Sequence, residues 1–345
     1  MEKKTARIQD VARAAGVSTA TVSRALSHPE VVADGTRKAV FDAVESTGYR
    51  VNQAARNLRR RRAGAILVLV PNLGNPFFSQ ILAGIGARMA DTDYAILIAD
   101  TEHQPSAMRS LNDYLGDSRI DGMIVLDGNV HVANIDALGT GPGQSRVIFA
   151  CEWVEDAPCP SVRSDNVRGA SLAVRHLHEL GHRKIAHITG PSGNVLTRAR
   201  REGMLAERSR LDLPVQDGWI IRGDFSLESG YAAGQKILDM KDRPTAIFCA
   251  SDQVAFGLIA RLTAAGVRVP QDISVVGFDD IEQAAFFVPR LTTIRQDRQL
   301  LGQTAAELMM QRLEDEDTTM PDDAVTLLDV ELVVRDSTAP PPDTA

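Results

Sequence analysis

Apolar residues recur with a helical period at the start of the chain. Between Ile8 and Ala15 they follow the i, i+3, i+4, i+7 spacing that lines one face of a helix. A second helix, with Val22 and Leu26 on its packed face, follows a turn at Gly16. Because two short helices joined by a tight turn can pack at an angle, the segment predicts a helix-turn-helix.

The second helix has a defined start and a polar face. Ser18 is placed to cap it, since a serine hydroxyl accepts from the free N–H groups of a first turn. Thr19, Ala20, Ser23 and Arg24 fall away from the packed stripe, on the face that a recognition helix presents to a DNA major groove. A solvated surface helix without a partner is the alternative interpretation.

A third helix is predicted over Thr36–Ser46, with Val40, Phe41 and Val44 on its packed side. Residues 1–50 therefore form a small all-α headpiece.

From Gly64 the pattern changes to short apolar runs that alternate with helical stretches, which is typical of a parallel α/β sheet. Several runs end in polar residues, and in open parallel sheets ligands bind beyond the carboxyl ends of the strands. The predicted strands are Ala65–Val70, Tyr94–Asp100, Gly122–Asp127, Arg146–Ala150, Lys184–Gly190, Trp219–Arg222, Ala246–Ala250 and Ser274–Phe278.

Three glycines, Gly203, Gly230 and Gly257, lie in or beside the helices that alternate with these strands. Glycine weakens a helix unless close packing needs the missing side chain, so we interpret all three as packing residues.

Val162–Asn166 separates two similar α/β series, so two lobes with a cleft between them are expected. The predicted divisions after the headpiece are a hinge or linker at 51–63, a first lobe of 64–164 plus about 292–325, a second lobe of 165–291 plus about 326–338, and a disordered tail at 339–345.

Charge is distributed unevenly between the two ends of the chain. Residues 1–62 hold 13 lysines and arginines against 6 aspartates and glutamates, whereas the remainder holds 25 against 39. A basic module that binds phosphates, attached to an acidic body that would repel DNA, fits this asymmetry.

The hinge is compatible with a helix but too short to form a stable helix alone, so we expect it to be disordered until it docks.

Taken in order, these segments resemble the lactose-repressor (LacI/GalR) family of bacterial transcription regulators over essentially the full length. Ser18–Leu26, Pro76–Ser79 and His103–Gln104 are most similar to the cytidine-repressor branch. The motifs that carry the family resemblance are Asp10–Ala12, Gly16–Ser18, Thr21–Arg24, Asn52 to Leu58, Asp165–Asn166, Gly181–His182, Val275–Asp280 and Leu291–Ile294.

The resemblance implies a repressor that binds a palindromic operator as a homodimer, with double-stranded DNA as its partner. Thr19 and Ala20 would read base edges, with Arg24 contributing to discrimination. Three headpiece residues would mostly contact DNA phosphates. Three hinge residues would also contact the DNA, and the leucine among them would act as a wedge that bends the duplex. These residues are Ser18, Thr21 and Ser23 in the headpiece, and Asn52, Arg56 and Leu58 in the hinge. Arg7 departs from the family pattern, which places a capping Thr or Ser there, so the start of the first helix is less defined.

The resemblance also implies a two-lobed sensor, similar to periplasmic sugar-binding proteins, with a small effector in its cleft. A guanidinium fork and carboxylates suit vicinal hydroxyls, and an aromatic ring suits a sugar or base face, so a sugar or a nucleoside is expected. Asn194 stands where some purine-sensing relatives place an arginine, which disfavours an acidic nucleobase. The effector residues implied are Phe77, Phe78, Arg200, Phe225, Asp252 and Asp279.

Other classes of protein receive less support. An enzyme is not expected, because Gly139–Gly143 neither follows a clear strand nor opens a helix and the chain has no G-x-S-x-G elbow. His176, His178 and His182 match no zinc signature, so neither a metal nor a cofactor is predicted. A transcriptional activator of the same family, or a stand-alone small-molecule binding protein, remains the alternative.

The expected location is the cytoplasm. No apolar run is long enough to cross a membrane, and the chain opens without the apolar stretch of an export signal. Three cysteines without a CxxC pair fit a reducing compartment.

Overall fold

The computed structural model describes residues 6–50, 57, 62–102, 119–129, 146–155, 157–314 and 324–342. The chain divides into two compact units, 1–63 and 64–345, which are described separately below.

Residues 6–50 of the first unit form a headpiece of three α-helices. Its helices are α1 (Ile8–Ala15), α2 (Thr19–Ser27) and α3 (Asp34–Thr47). Val11, Val22 and Val40 are fully buried at the centre, which confirms the predicted packing of the three helices. Gly16 ends α1 with φ +66°, a conformation that glycine adopts without steric cost.

Two details of the headpiece differ from expectation. Phe41 is 46% exposed, and Ala43 takes the buried place beside Val40, because the contact face of α3 follows the i, i+3 positions. Arg7 has no side-chain cap, yet α1 begins cleanly at Ile8, because the Arg7 backbone N–H donates to Asp10 Oδ2 at 2.9 Å.

The second unit contains two sheets, each of six strands among the described residues. The first sheet has the order β11-β5-β4-β3-β1-β2, and its strands are all parallel. The strands are β1 (Ala65–Val70), β2 (Ala95–Asp100), β3 (Gly122–Val125), β4 (Val147–Ala150), β5 (Ser161–Ser164) and β11 (Val325–Leu328).

The second sheet has the order β12-β10-β9-β8-β6-β7, with only the β10–β12 pair antiparallel. The strands are β6 (Ile185–Ile188), β7 (Ile220–Ile221), β8 (Ala246–Cys249), β9 (Ser274–Asp279), β10 (Thr292–Gln296) and β12 (Val330–Val333). The predicted architecture, an all-α headpiece followed by a two-lobed core with parallel sheets, is confirmed.

Helices cover the sheets and pack against one another in pairs. In the first lobe α4 packs against α9, and in the second lobe α5 packs against α6 and α7 against α8. The bounds are α4 (Phe77–Met89), α5 (Asn166–Glu179), α6 (Val195–Arg210), α7 (Leu227–Leu238), α8 (Asp252–Ala264) and α9 (Arg298–Glu314).

Three boundaries predicted from the sequence are wrong. Thr292–Gln296, assigned to the first lobe, pairs with β9 of the second sheet, and Val325–Leu328 pairs with β5 of the first. The tail is predicted to be disordered, but Ala339 donates its N–H to Ser274 Oγ at 3.0 Å and its carbonyl lies 2.8 Å from His182 Nε2. Hydrogen bonds therefore fix the start of the tail at Ala339, although the sequence of the tail has no periodicity.

No helix in the described part of the chain is both long enough and apolar enough to span a membrane.

Candidate DNA-binding surface and ligand cleft

The start of α2 is fixed by side-chain hydrogen bonds. Ser18 Oγ accepts from the Thr21 N–H at 3.1 Å and lies 2.9 Å from Thr21 Oγ1. Val22 and Ala25 are buried beneath the helix and set its rotation. The predicted cap is confirmed, and so is the packed face, where Val22 is buried and Leu26 is partly buried.

The opposite face of α2 is accessible. Ser18, Thr19, Ala20 and Arg24 are exposed, and Thr21 and Ser23 are half-buried. Arg24 makes no ion pair within residues 6–50. The face therefore offers hydroxyls, a methyl group and a free guanidinium. The predicted hinge contacts Asn52, Arg56 and Leu58 lie outside the described residues, as does the motif at 103–104.

The ligand cleft lies in the second unit, at the carboxyl ends of strands from both sheets. It encloses about 840 Å³, within the usual range for small-molecule sites. A narrower pocket of about 40 Å³ shares part of its lining, including Phe78, Glu152 and Phe225. The first lobe contributes Asn72, Thr101, Asp127 and Glu152 to the larger cavity, and the second lobe contributes Asn194, Asp224, Phe225 and Gln253.

Arg200 and Asp279 form the polar floor of the narrower pocket. Arg200 Nη2 lies 3.5 Å from Asp279 Oδ1, and both side chains are more than nine-tenths buried. Arg200 Nε donates to Asn166 Oδ1 at 2.8 Å, and its guanidinium lies 3.8 Å from the centre of the Phe278 ring. These contacts hold the guanidinium rigidly.

Burial raises the pKa of Asp279 to about 6, and the neighbouring Arg200 guanidinium opposes that rise. Gln296 Nε2 donates to Asp279 Oδ1 at 2.8 Å. Arg200 and Gln296 therefore both contact Oδ1 and orient the carboxyl group before any ligand arrives.

Asp252 does not line either cavity formed by the described residues. It is fully buried at the start of α8, where Oδ2 accepts from the Ile281 N–H at 2.9 Å and Oδ1 accepts from the Thr293 hydroxyl. Burial, with Asp279 nearby, raises the pKa of Asp252 well above its usual range. The geometry gives Asp252 a positioning role beneath the site, in place of the ligand contact implied by resemblance.

Three phenylalanines contribute to the apolar surface of the two cavities. Phe77 and Phe78 meet edge to face with ring centres 5.1 Å apart, and Phe78 lines both cavities, whereas Phe77 lines only the narrower one. Phe225, at φ +70°, lies over Gly190, where an added Cβ would stand 2.2 Å from Phe225 Cζ. Glycine is required there because the ring occupies the space of a side chain.

Glu152 is a site residue that the sequence analysis did not find. It follows β4, and its oxygens accept from Asn194 Nδ2 at 2.9 Å and from the Gly128 N–H at 2.8 Å. Burial raises the pKa of Glu152 to about 7, although both hydrogen bonds lower it. The rule that polar residues at the carboxyl ends of parallel strands lie near the ligand applies to Glu152 as well, because it follows β4.

The cleft is rich in acceptors. Its carboxylates include Glu102, Asp127, Glu152 and Asp224, and the buried cation Arg200 is already paired. Such a lining favours a neutral ligand with many donor groups and opposes an anion. Among the residues that the structure describes, no cluster of histidine, cysteine, aspartate or glutamate has the arrangement of a metal site.

Known proteins match the chain along almost its whole length. Residues 7–52 match the family described as bacterial regulatory proteins, lacI family, and residues 174–338 match the periplasmic binding protein-like domain. The HTH-type transcriptional repressor CytR of Escherichia coli (strain K12) is 36% identical over 98% of this chain and 97% of its own length. The repressor PurR of Photobacterium profundum is also 36% identical, over 96% of this chain and 98% of its own.

Solved structures agree. The Lac repressor dimer bound to operator and the anti-inducer ONPF superposes with a TM-score of 0.83 and 32% identity, covering 97% of this chain and all of that one. The complex of the regulator CelR with cellobiose gives a TM-score of 0.72 at 28% identity, covering 96% of this chain and 99% of that one. Together with the headpiece and the two-lobed core, these matches establish that the chain belongs to the LacI family of bacterial transcriptional regulators.

Proposed function

We propose that the protein is a dimeric transcriptional repressor whose hold on operator DNA is controlled by a neutral, hydroxyl-rich metabolite in the cleft. The observation that carries this proposal is the combination, in one chain, of an accessible α2 face and an acceptor-lined cleft of ligand size. The relatives described above are named as repressors, and one of the matched structures holds operator DNA.

The DNA contacts of α2 are assigned by family resemblance, and the accessible face of the helix supports them. Thr19 and Ala20 are assigned to base edges, where the methyl group of Ala20 suits a thymine methyl. The Arg24 guanidinium supplies charged hydrogen-bond donors. Contacts with phosphates fix the position of the helix along the duplex, and the residues assigned to them are Ser18, Thr21 and Ser23. Asn52, Arg56 and Leu58 are assigned to the hinge contact by family resemblance alone.

A second copy of the chain would cover apolar surface that the core leaves open. Leu97 and Ile98, on the edge strand β2, are 44% and 47% exposed. Phe286 and Val288 in the second lobe are 78% and 88% exposed. A palindromic operator requires such a symmetric pair of headpieces.

The effector class follows from the cleft lining. Carboxylates that accept from sugar or nucleoside hydroxyls stand near Phe78 and Phe225, which offer faces for a ring. Regulation then depends on the difference in effector affinity between the DNA-competent and the released states, typically about 1–3 kcal/mol. We assign no catalytic activity to the chain and place it in the cytoplasm.

The DNA half of the proposal is tested by selecting duplexes from a random pool with the full-length protein and measuring their affinity over a salt series. A regulator yields an inverted repeat and an affinity that falls steeply with salt, whereas a stand-alone metabolite-binding protein yields neither. Thr19→Ala should change the selected sequence, and the matched variant Ser46→Ala, on the exposed side of α3, should not. An unchanged preference in Thr19→Ala would remove Thr19 from base reading.

The effector half is tested by calorimetric titration of the full chain with a panel of sugars and nucleosides. A compound that binds must also change operator affinity, since linkage is reciprocal. A reporter gene under the selected operator then separates repressor from activator by the direction of its response.

A further inference from the structure

Arg298 is a buried cation that contacts both lobes. It begins α9, which packs in the first lobe, and the residue is only 8% exposed. Its Nη1 donates to the Phe77 carbonyl of the first lobe at 3.2 Å, and its Nη2 donates to the Asp280 carbonyl of the second lobe at 3.0 Å. We refer to this pair of contacts as the Arg298 bridge.

Packing alone does not explain a guanidinium at this place. Arg298 makes no ion pair with any residue that the structure describes, and its Nε has no hydrogen-bond partner there. Burying a cation without a carboxylate partner costs free energy, and buried charges in proteins are generally paired. The role of the side chain therefore lies with the two carbonyl groups that it contacts.

The Asp280 carbonyl belongs to a strained turn. Asp279 has φ +119° and Asp280 has φ +50°, in the left-handed region that favours glycine. Such a conformation persists only where its surroundings enforce it, and it is common in segments that switch between arrangements. Within the second lobe, Asp280 Oδ2 lies 2.6 Å from Arg295 Nε and Oδ1 lies 2.7 Å from Arg335 Nη2. Arg298 adds the contact from the first lobe.

The Arg298 bridge joins the two walls of the narrower pocket. Phe77 lines this pocket from the first lobe, and Asp279 and Ile281, on either side of Asp280, line it from the second. The pocket encloses about 40 Å³, which is room for only a few water molecules. A ligand ring must therefore part these walls in order to enter, and the Arg298 bridge opposes that movement.

We propose that Arg298 is the positioning residue through which the narrower pocket controls the arrangement of the lobes. It holds the strained turn at Asp280 against the start of α4. A ligand that enters the pocket loads this bridge, so that the turn and the lobes move together. The inference rests on the proposed function, because it names the contact through which the effector acts on the core.

The bridge is tested first without DNA or effector, by hydrogen exchange of the full-length protein. Arg298→Met removes the donors but keeps most of the length of the side chain. It should speed exchange at least about tenfold in two segments of different lobes, 77–81 and 280–285, because charge-assisted hydrogen bonds are lost. Arg298→Lys, which keeps a cation and its donors, should restore slow exchange. Arg298→Gln should give the same pattern as the Met variant and serves if that variant does not fold.

Arg312→Met is the matched control, because it removes another buried arginine from the same helix. Both Met variants should lower Tm, but only Arg298→Met should speed exchange in the two segments. With the operator duplex selected from the random pool, Arg298→Met should bind at least about fivefold more weakly. A core without a fixed lobe arrangement holds its paired headpieces less precisely. Arg312→Met should bind the duplex within about twofold of the wild type.

Unchanged exchange in Arg298→Met would overturn the proposal. Equal acceleration of the two segments in Arg312→Met would overturn it too, because the effect would then be a general loss of stability. Faster exchange in Arg298→Met with unchanged or tighter operator binding would show that the bridge does not set the DNA-competent arrangement. If the wild type selects no operator, the repressor proposal fails, while hydrogen exchange still decides whether Arg298 holds the lobes.

Discussion

At the scale of single residues, the core contains a few buried polar groups whose surroundings make them sensitive to pH. Glu152 and Asn194 come from different lobes and meet across the cleft at 2.9 Å. Glu152 is therefore both a cavity wall and a contact between lobes. Its protonation state therefore affects both the cavity wall and this contact between the lobes.

We expect effector affinity to rise with pH through neutrality. Ligand hydroxyls donate to Glu152 best when it is ionised, and burial holds its pKa near about 7. Because the ionised fraction grows from about one-tenth at pH 6 to about nine-tenths at pH 8, affinity should gain up to about tenfold over that range. Calorimetric titration at both pH values measures this change.

Glu152→Gln should abolish the pH dependence, since the amide does not titrate. Glu102→Gln, at another wall of the same cavity, is the matched control and should retain it. A pH-dependent affinity that survives in Glu152→Gln would assign the effect to another group.

His187 should make the second lobe sensitive to acid. It is fully buried in β6, with Nδ1 2.9 Å from the Phe248 carbonyl and Nε2 without a partner among the described residues. Burial lowers the pKa of His187 to about 4, whereas an unfolded histidine titrates near about 6.5. The unfolded state thus binds more protons between these values, so stability is complete above about pH 6.5 and falls as pH drops toward about 4.

The loss attributable to His187 is at most about 3 kcal/mol, the equivalent of the pKa difference. Urea unfolding gives the free energy of unfolding at pH 7.5 and at pH 5. The difference between these two free energies should be smaller in His187→Leu than in the wild type. His178→Leu, a less buried histidine of the same lobe, should behave as the wild type. An unchanged pH difference in His187→Leu would refute the assignment.

At the scale of elements, close helix packing depends on glycines that the sequence already marks. Gly203, Gly230 and Gly257 are predicted packing residues, and each meets a neighbouring backbone: added Cβ atoms would stand 2.1, 2.0 and 1.9 Å from carbonyl oxygens. A backbone atom cannot move aside as a flexible side chain does. These positions therefore fix the distance between paired helices.

Gly257→Ala should destabilise the core by about 1–3 kcal/mol, the usual cost of overpacking, because α7 and α8 must separate. Gly86→Ala in α4 is the matched control, since an added Cβ there meets open space. It should raise stability by about 0.5–1 kcal/mol through helix propensity. Thermal unfolding of both variants gives the comparison, and equal Tm values would contradict the packing argument.

Elements with local signals were predictable, and elements defined by distant partners were not. Ala65–Val70 is a continuous apolar run, and the structure has β1 at those residues. In contrast, β11 and β12 are separated only by Asp329 and join different sheets, so no local pattern could assign them. Likewise, Asp279 directly follows a predicted strand, so its place at the site could be predicted. Its different role from Asp252 could not be predicted, because it depends on which distant residues donate hydrogen bonds to each carboxylate.

At the scale of the molecule, the chain passes between the lobes three times, after β5, after β10 and between β11 and β12. Arg298, at the start of α9, joins the lobes at the second passage, donating to the Phe77 carbonyl at 3.2 Å and to the Asp280 carbonyl at 3.0 Å. Asp280 follows the floor residue Asp279, so the floor of the cleft is attached to the second passage between the lobes.

Asp279→Asn should separate sensing from DNA binding. The amide keeps the volume of the side chain and avoids an empty space beside Arg200, but it removes the charge that strengthens hydrogen bonds from ligand hydroxyls. Effector affinity should fall at least about tenfold, while operator affinity, which depends on the headpiece, should stay within about twofold. Asp217→Ala, an exposed aspartate of the same lobe, should alter neither. A normal effector response in Asp279→Asn would exclude Asp279 from the site, and a matching loss of operator affinity would mean that the floor of the cleft sets the DNA-competent state even without ligand.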